Sequence, residues 1–142
     1  MNLDEVIPLL LAACPSAKSA WDDHLQFWGQ EAAGSFNDVA VFAHHVVDSY
    51  AAGKTMEFAA FFEVLERMIR EGDSQVAELA TVGLIEDIQN VASHRQFGYH
   101  VFESWLATAS RREWANIESI WAGKNSLMDV LRAEAETKRG RR

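Results

Sequence analysis

Residues 55–72 read TMEFAAFFEVLERMIREG and carry the strongest helical pattern in the chain. Bulky apolar residues recur at steps of three and four, the spacing that places side chains on one face of an α-helix. These residues are Phe58, Phe61, Phe62, Leu65, Met68 and Ile69. Thr55 offers an N-terminal cap, and Glu66 with Arg70 forms a favourable i,i+4 pair on the opposite face. The segment therefore predicts an amphipathic helix with a solvent-facing Glu66.

Three helices are predicted before this segment. The first covers about residues 4–14 and stops before Pro15, because the residue before a proline is pushed out of the α region. The second follows a serine cap and ends near Gly29 or Gly34, and the third covers about 35–53. The apolar stripes of the second and third contain Trp21, Leu25, Trp28, Val39, Phe42, Val46, Val47 and Tyr50.

Four more helices are expected downstream. The first of these four helices is apolar on more than one face, so it is predicted to be central. Gly83 in this helix is expected to mark the close approach of a neighbouring helix. The second covers about 97–106. A capping box at Ser110–Glu113 opens the third, which ends at Gly123, and Ser126 starts the last. Because no strand alternation competes, we predict an all-α fold of about seven or eight helices, as an irregular antiparallel bundle or as stacked helical hairpins.

Length and charge define the expected domain. A chain of 142 residues with 49% hydrophobic and 24% charged residues has the balance of one globular domain. The net charge of -8 is unevenly distributed, since residues 1–137 carry about -12 and residues 138–142 carry +4. We therefore expect a single acidic domain over 1–137, followed by a basic, disordered tail at 138–142.

Composition argues against several functional classes. An acidic body repels nucleic acid, and no apolar stretch approaches the roughly 20 residues that span a bilayer. The first five residues include two acidic residues and no basic one, whereas a secretory signal begins with a basic region. Cys14 is the one cysteine, so it forms no intrachain disulfide, and its apolar neighbours predict a buried, unreactive side chain. We expect a cytoplasmic protein that binds neither nucleic acid nor membrane.

No catalytic or metal motif is recognised. His45 and Asp48 share a helical face beside His44, but the chain lacks the second histidine-containing copy that a di-iron bundle requires. No nucleophile motif or phosphate-binding glycine loop occurs. We therefore expect no cofactor, no bound metal and no enzymatic activity.

A polar cluster interrupts the most apolar predicted helix. Glu86, Asp87 and Asn90 are its principal members. Polar groups in such a helix must face solvent or form hydrogen bonds inside the protein. The cluster therefore predicts either bracing of the structure or a recognition surface.

Several short motifs resemble those of a known group of proteins. They are Phe61–Phe62 with Leu65–Glu66, Glu71–Asp73, Val82–Asp87 with Gln89–Asn90, and Ser110, Trp114 and Trp121. Together they resemble an uncharacterised family of small all-helical bacterial domains, similar to immunity or accessory proteins of bacterial toxin systems. The resemblance spans about residues 56–122, and Gly83, Glu86, Asp87 and Asn90 match the family pattern. It implies tight binding to a cognate toxin and names no catalytic residue.

Two functional hypotheses and a third alternative follow. The first is an immunity-type protein that binds a basic bacterial toxin and covers its active site. The expected partner-binding residues are Asp22, Asp23, Trp28, Glu86, Asp87, Asn90, Trp105 and Trp121. The second is a small-ligand or metal-dependent enzyme that uses His44, His45 and Asp48. A helical scaffold or adaptor without a toxin is the third.

Overall fold

The computed structural model of the chain describes residues 1–140, without the side chains of residues 124–127, 129 and 138–140. The α-helices are α1 (Leu3–Ala13), α2 (Lys18–Trp28), α3 (Ser35–Ala51), α4 (Phe58–Glu71), α5 (Ser74–Glu78), α6 (Glu86–Ser93) and α7 (Thr108–Gly140). They are joined in part by 3-10 helices at Pro15–Ala17 and His100–Trp105 and by a π-helical segment at Leu79–Ile85. No strand occurs within residues 1–140, so the predicted all-α fold is confirmed.

The helix predicted to be central is central. α5, the π-helical segment and α6 follow one another without a break, and they pack against α3, α4 and α7. Gly83 marks the expected close approach, since a Cβ at this position would lie 3.0 Å from Val39 Cγ2 and 3.3 Å from Leu79 Cδ1. A π-helical turn holds more residues than an α turn, which widens the helix where α3 crosses it.

The predicted apolar stripe of α4 forms much of the core. Phe58, Phe61, Phe62, Leu65 and Met68 are all buried. The 3-10 helix at His100–Trp105 packs further aromatic rings against this stripe. The ring centroid of Trp105 lies 5.0 Å from that of Phe58. Large aromatic side chains bury much apolar surface, so this contact belongs to the energetic centre of the fold. The helix predicted at about 97–106 is therefore a shorter 3-10 helix at His100–Trp105, and it has a structural role.

Glu66 is buried, which corrects its predicted place on the solvent face of α4. Its side chain is 3% exposed and lies against the first turn of α7. The two carboxylate oxygens accept hydrogen bonds from the backbone N–H groups of Ala109 at 3.0 Å and Ser110 at 2.7 Å. A helix N-terminus has N–H groups without helical partners and a positive dipole end, so a carboxylate there is doubly stabilised.

The capping box predicted at Ser110–Glu113 is wrong, because Glu66 occupies the N-terminus of α7. α7 begins two residues earlier, at Thr108, and the residue before it is Ala107, which has no capping side chain. Ser110 instead lies inside the first turn, where its hydroxyl oxygen accepts from the backbone N–H of Ala107 at 2.9 Å. The N-terminal cap of α7 is therefore supplied by Glu66 of α4, more than 40 residues away.

The predicted break between Gly123 and Ser126 is also wrong. α7 continues through this region to Gly140, because one glycine costs a long helix only about 1 kcal/mol. Of the predicted disordered tail, residues 138–140 continue α7, and residues 141–142 lie outside the described residues. None of the helices in the described part of the chain is long and apolar enough to cross a membrane.

Two glycines should respond in opposite ways to alanine. A Cβ at Gly72 would lie 2.3 Å from the Met68 carbonyl oxygen, so we expect Gly72→Ala to lower the free energy of unfolding by about 2 kcal/mol. A Cβ at Gly123 meets no described atom within 4 Å. Gly123→Ala should therefore raise stability by up to about 1 kcal/mol through helix propensity. Urea unfolding measures both, and destabilisation by Gly123→Ala would contradict a continuous α7.

Candidate functional site

An open groove of about 430 Å³ lies between α2 and α3. Phe27 and Trp28 form part of its wall at the end of α2, and Val41 and His44 line it from α3. His24 also lines the groove, with its ring centroid 6.4 Å from that of Trp28, and its Nε2 is 2.9 Å from Asp38 Oδ1. The groove thus combines aromatic surface with polar groups already held in position by neighbours.

Phe27 is the most exposed aromatic residue of this groove. Its side chain is 83% exposed, and it meets Trp28 edge-on at a centroid distance of 5.8 Å. Leu25 of α2 and Phe36 of α3 are also exposed. A single exposed apolar residue is ordinary, but two adjacent aromatic rings on the wall of a groove, as Phe27 and Trp28 are, are typical of a protein-binding surface.

The segment that builds the groove is strongly acidic. Residues 19–53 contain five acidic residues and no Lys or Arg. They are Asp22, Asp23, Glu31, Asp38 and Asp48. Neighbouring cations offset part of this charge, since Asp22 pairs with Lys18 and Asp48 Oδ1 accepts from Arg95 at 2.6 Å. We use the name α2–α3 surface for the groove residues Phe27, Trp28, Val41, His44 and Asp48, together with Asp22 and Asp23, which lie on α2 outside the groove lining.

The predicted residues Glu86 and Asp87 lie next to this surface on α6, which packs against α3. Burial raises the pKa of Asp87 above its usual range, the nearby His44 opposes the shift, and Glu86 adds to it. A charge effect of this kind requires short separation. The partly buried carboxyl group of Asp87 therefore lies close to His44 of the α2–α3 surface.

The other predicted partner-binding residues lie elsewhere. Asn90 and Trp121 line a cavity of about 340 Å³ with Tyr99, and Trp105 packs in the aromatic core. In the same polar cluster, the buried Gln89 donates to the Trp114 carbonyl oxygen at 3.0 Å and so joins α6 to α7. The eight residues proposed from sequence therefore do not form one patch, and Asp22, Asp23 and Trp28 are the ones that share the groove helix.

A second cluster surrounds His45, which directly follows His44 on α3 and also lines the groove. The hydroxyl group of Ser16 lies 2.7 Å from His45 Nε2 and donates to Glu57 Oε2. Cys14 is buried, as predicted, and its thiol donates to the same carboxylate oxygen at 3.4 Å. A cysteine, a serine, a histidine and a carboxylate thus meet where α1, α3 and the turn before α4 converge.

This cluster does not have the geometry of a nucleophilic site. In a serine hydrolase the carboxylate orients the histidine, whereas here Glu57 bonds the hydroxyl of Ser16 directly. Burial, followed by the hydrogen bond and charge of Glu57, raises the pKa of the Cys14 thiol to about 11. A thiol with that pKa is protonated near neutral pH and is a poor nucleophile. The Asp48 that the sequence paired with His45 bonds Arg95 instead.

Two groups of side chains in the described part of the chain have donor atoms close enough to share a metal ion. They are Cys14, His45 and Glu57, and His100, Glu103 and Glu118. In the second group, the hydrogen bond that the Glu103 carboxylate accepts raises the pKa of His100, whose side chain is largely in solvent. The first group is the more enclosed, and neither was predicted.

The comparisons with known proteins concern the whole helical body. No curated protein and no solved structure matches the chain. A family model matches residues 7–122, which include the α2–α3 surface and the cluster at His45. The expected membership of an uncharacterised family is thereby confirmed. The chain belongs to the family described as a domain of unknown function (DUF7674).

Proposed function

We propose that this chain is an immunity-type binding protein whose α2–α3 surface binds a basic bacterial toxin and covers the toxin's active site. One observation carries the proposal: an aromatic side chain that is 83% exposed, Phe27, lies in a segment with five acidic residues and no Lys or Arg. The aromatic groups supply contact area, and the acidic groups attract a positively charged partner.

Steric blockade needs no chemistry from this chain. The partner's cationic groups meet Asp22 and Asp23 on α2, while Phe27 inserts into an apolar depression and loses its water. Long-range attraction between opposite charges speeds encounter and weakens as salt screens it. The apolar anchor then slows dissociation. The proposal therefore assigns on-rate to the acidic side chains and residence time to the aromatic pair.

The test uses the proteins encoded beside this chain's gene, each purified in a catalytically inactive form. We expect one of them to bind with an association rate that falls steeply with salt. The double variant Asp22→Asn/Asp23→Asn should slow association several-fold, whereas Glu134→Gln/Glu136→Gln, an exposed acidic pair on α7, should not. Stopped-flow or surface plasmon resonance measures the rates.

Toxin activity separates inhibition from simple association. The active partner should lose its activity when one equivalent of this chain is added. Binding that leaves the activity intact would favour an adaptor over an immunity protein, and equal effects of the two acidic pairs would contradict the assigned surface. If none of the neighbouring proteins binds, the immunity function is wrong.

A further inference from the structure

Three elements bring potential metal ligands together beside α3. Cys14 directly follows α1, His45 lies within α3, and Glu57 immediately precedes α4. The sulfur, a ring nitrogen and a carboxylate oxygen of these residues all lie within 4.8 Å of one another. The thiol is buried, and the other two side chains are partly buried. This convergence depends on the tertiary fold, because 31 and 12 positions separate the three residues along the chain.

The donor set and its spacing suit zinc. Zn²⁺ binds thiolate, imidazole and carboxylate together, and two such ligands at a tetrahedral angle lie about 3.6 Å apart. Cys14 Sγ already lies 3.4 Å from Glu57 Oε2. The remaining adjustment is small, since no pair of donor atoms is farther apart than 4.8 Å.

Ser16 prepares Glu57 for this role. Its backbone N–H donates to Glu57 Oε1 at 3.1 Å, which orients the carboxylate and leaves Oε2 to accept from the Cys14 thiol. The hydroxyl of the same residue now bridges Oε2 and His45 Nε2. A zinc ion that contacts both Glu57 Oε2 and His45 Nε2 can take the place of this bridging hydroxyl. The backbone hydrogen bond from Ser16 then continues to orient the Glu57 carboxylate.

Solvent reaches the cluster through a cavity of about 560 Å³. Ser16, His45 and Glu57 line it, together with Lys54 and Met56. A metal ion can therefore enter without unfolding the core, and the cavity side is free to provide a water molecule as the fourth ligand.

We propose that Cys14, His45 and Glu57 form a three-ligand zinc site whose fourth position faces this cavity. Binding would convert the Cys14 thiol to a thiolate and release its proton to solvent. The zinc site does not rest on the proposed toxin binding, although His45 also lines the groove between α2 and α3. It would tie the end of α1 to α3 and to the start of α4.

The test starts from the full chain stripped of metal with a chelator. We expect one equivalent of Zn²⁺ to bind in competition with a chromophoric chelator, and Co²⁺ to give the charge-transfer absorption of a thiolate ligand. Cys14→Ser, His45→Gln and Glu57→Gln should each weaken Zn²⁺ binding by at least about tenfold. The matched control is His44→Gln, which changes the adjacent, exposed histidine and should leave binding unchanged.

Ser16→Ala provides a second control, because it removes the bridging hydroxyl and keeps the three ligands. It should retain zinc binding. Circular dichroism of each metal-free variant checks that the helices are intact. Substoichiometric binding, no thiolate absorption with Co²⁺, or equal losses in His44→Gln and His45→Gln would show that the cluster is a hydrogen-bond network only.

Discussion

Replacing Glu66 with alanine should lower the free energy of unfolding by about 3 kcal/mol, because it leaves two N–H groups of α7 without their acceptor. Glu66 is 3% exposed, so these N–H groups are shielded from bulk solvent. It also carries the negative charge that the helix N-terminus favours. Urea unfolding followed by circular dichroism measures the loss.

Two further variants identify the cause. Glu66→Gln keeps one acceptor oxygen and should lose about half as much as alanine, because charge-assisted hydrogen bonds are roughly twice as strong as neutral ones. Glu63→Ala removes an exposed carboxylate from the same helix and should change stability by less than about 0.5 kcal/mol. Similar losses for Glu63→Ala and Glu66→Ala would show that the contact with α7 is unimportant.

The same contact predicts a pH dependence. Burial alone would raise the pKa of Glu66, but the backbone hydrogen bonds from Ser110 and Ala109, with smaller contributions from the Ser110 hydroxyl and Arg70, lower it. A lowered folded-state pKa gives stability that is present above about pH 4.3, the unfolded value, and lost as pH falls toward the folded one. The stability difference between wild type and Glu66→Gln should therefore shrink below that pH.

Replacing Phe27 with alanine should weaken binding to the proposed basic partner by about 2 kcal/mol, roughly 30-fold, without destabilising the free protein. The side chain is 83% exposed, so the fold does not depend on its burial. In the complex it loses its contact with water and fills apolar space on the partner. Isothermal titration calorimetry of wild type and variant measures the difference, and thermal unfolding checks the fold.

A matched control is available on another helix. Met128 of α7 is also an exposed, large apolar residue. Met128→Ala should leave affinity within a factor of about two, because most exposed residues outside a hot spot contribute little. If Met128→Ala weakens binding as much as Phe27→Ala does, then α7 carries the interface and the α2–α3 surface does not.

Local sequence patterns were sufficient where the structure is determined locally. The stripe of α4 and the stop before Pro15 depend on residues within one or two turns, and the structure confirms both. The start of α7 depends on Glu66, which is distant in sequence, so a capping motif at Ser110 was a misleading signal. The helix end predicted at Gly123 is wrong, because the free-energy cost of one glycine is small against the stability of the rest of a long helix.

The candidate sites show the same limit. Trp28 was identified as an aromatic candidate from sequence, while Phe27 was not, although the two adjacent rings together line the groove. Cys14, His45 and Glu57 have no common spacing that a metal motif would reveal. Only the packing of α1, α3 and the turn before α4 brings their donor atoms together, so no local signal could have indicated the cluster.

A chemical-shift titration shows where on this chain a basic partner binds. The isotope-labelled chain is titrated with an inactive form of the neighbouring-gene protein that binds it, and backbone amide and tryptophan indole signals are followed. We predict that the largest shifts occur in α2 and α3, including the indole of Trp28 and the amide of Phe27. Shifts concentrated in α7 or around Tyr99 and Trp121, with α2 unchanged, would contradict binding at the α2–α3 surface.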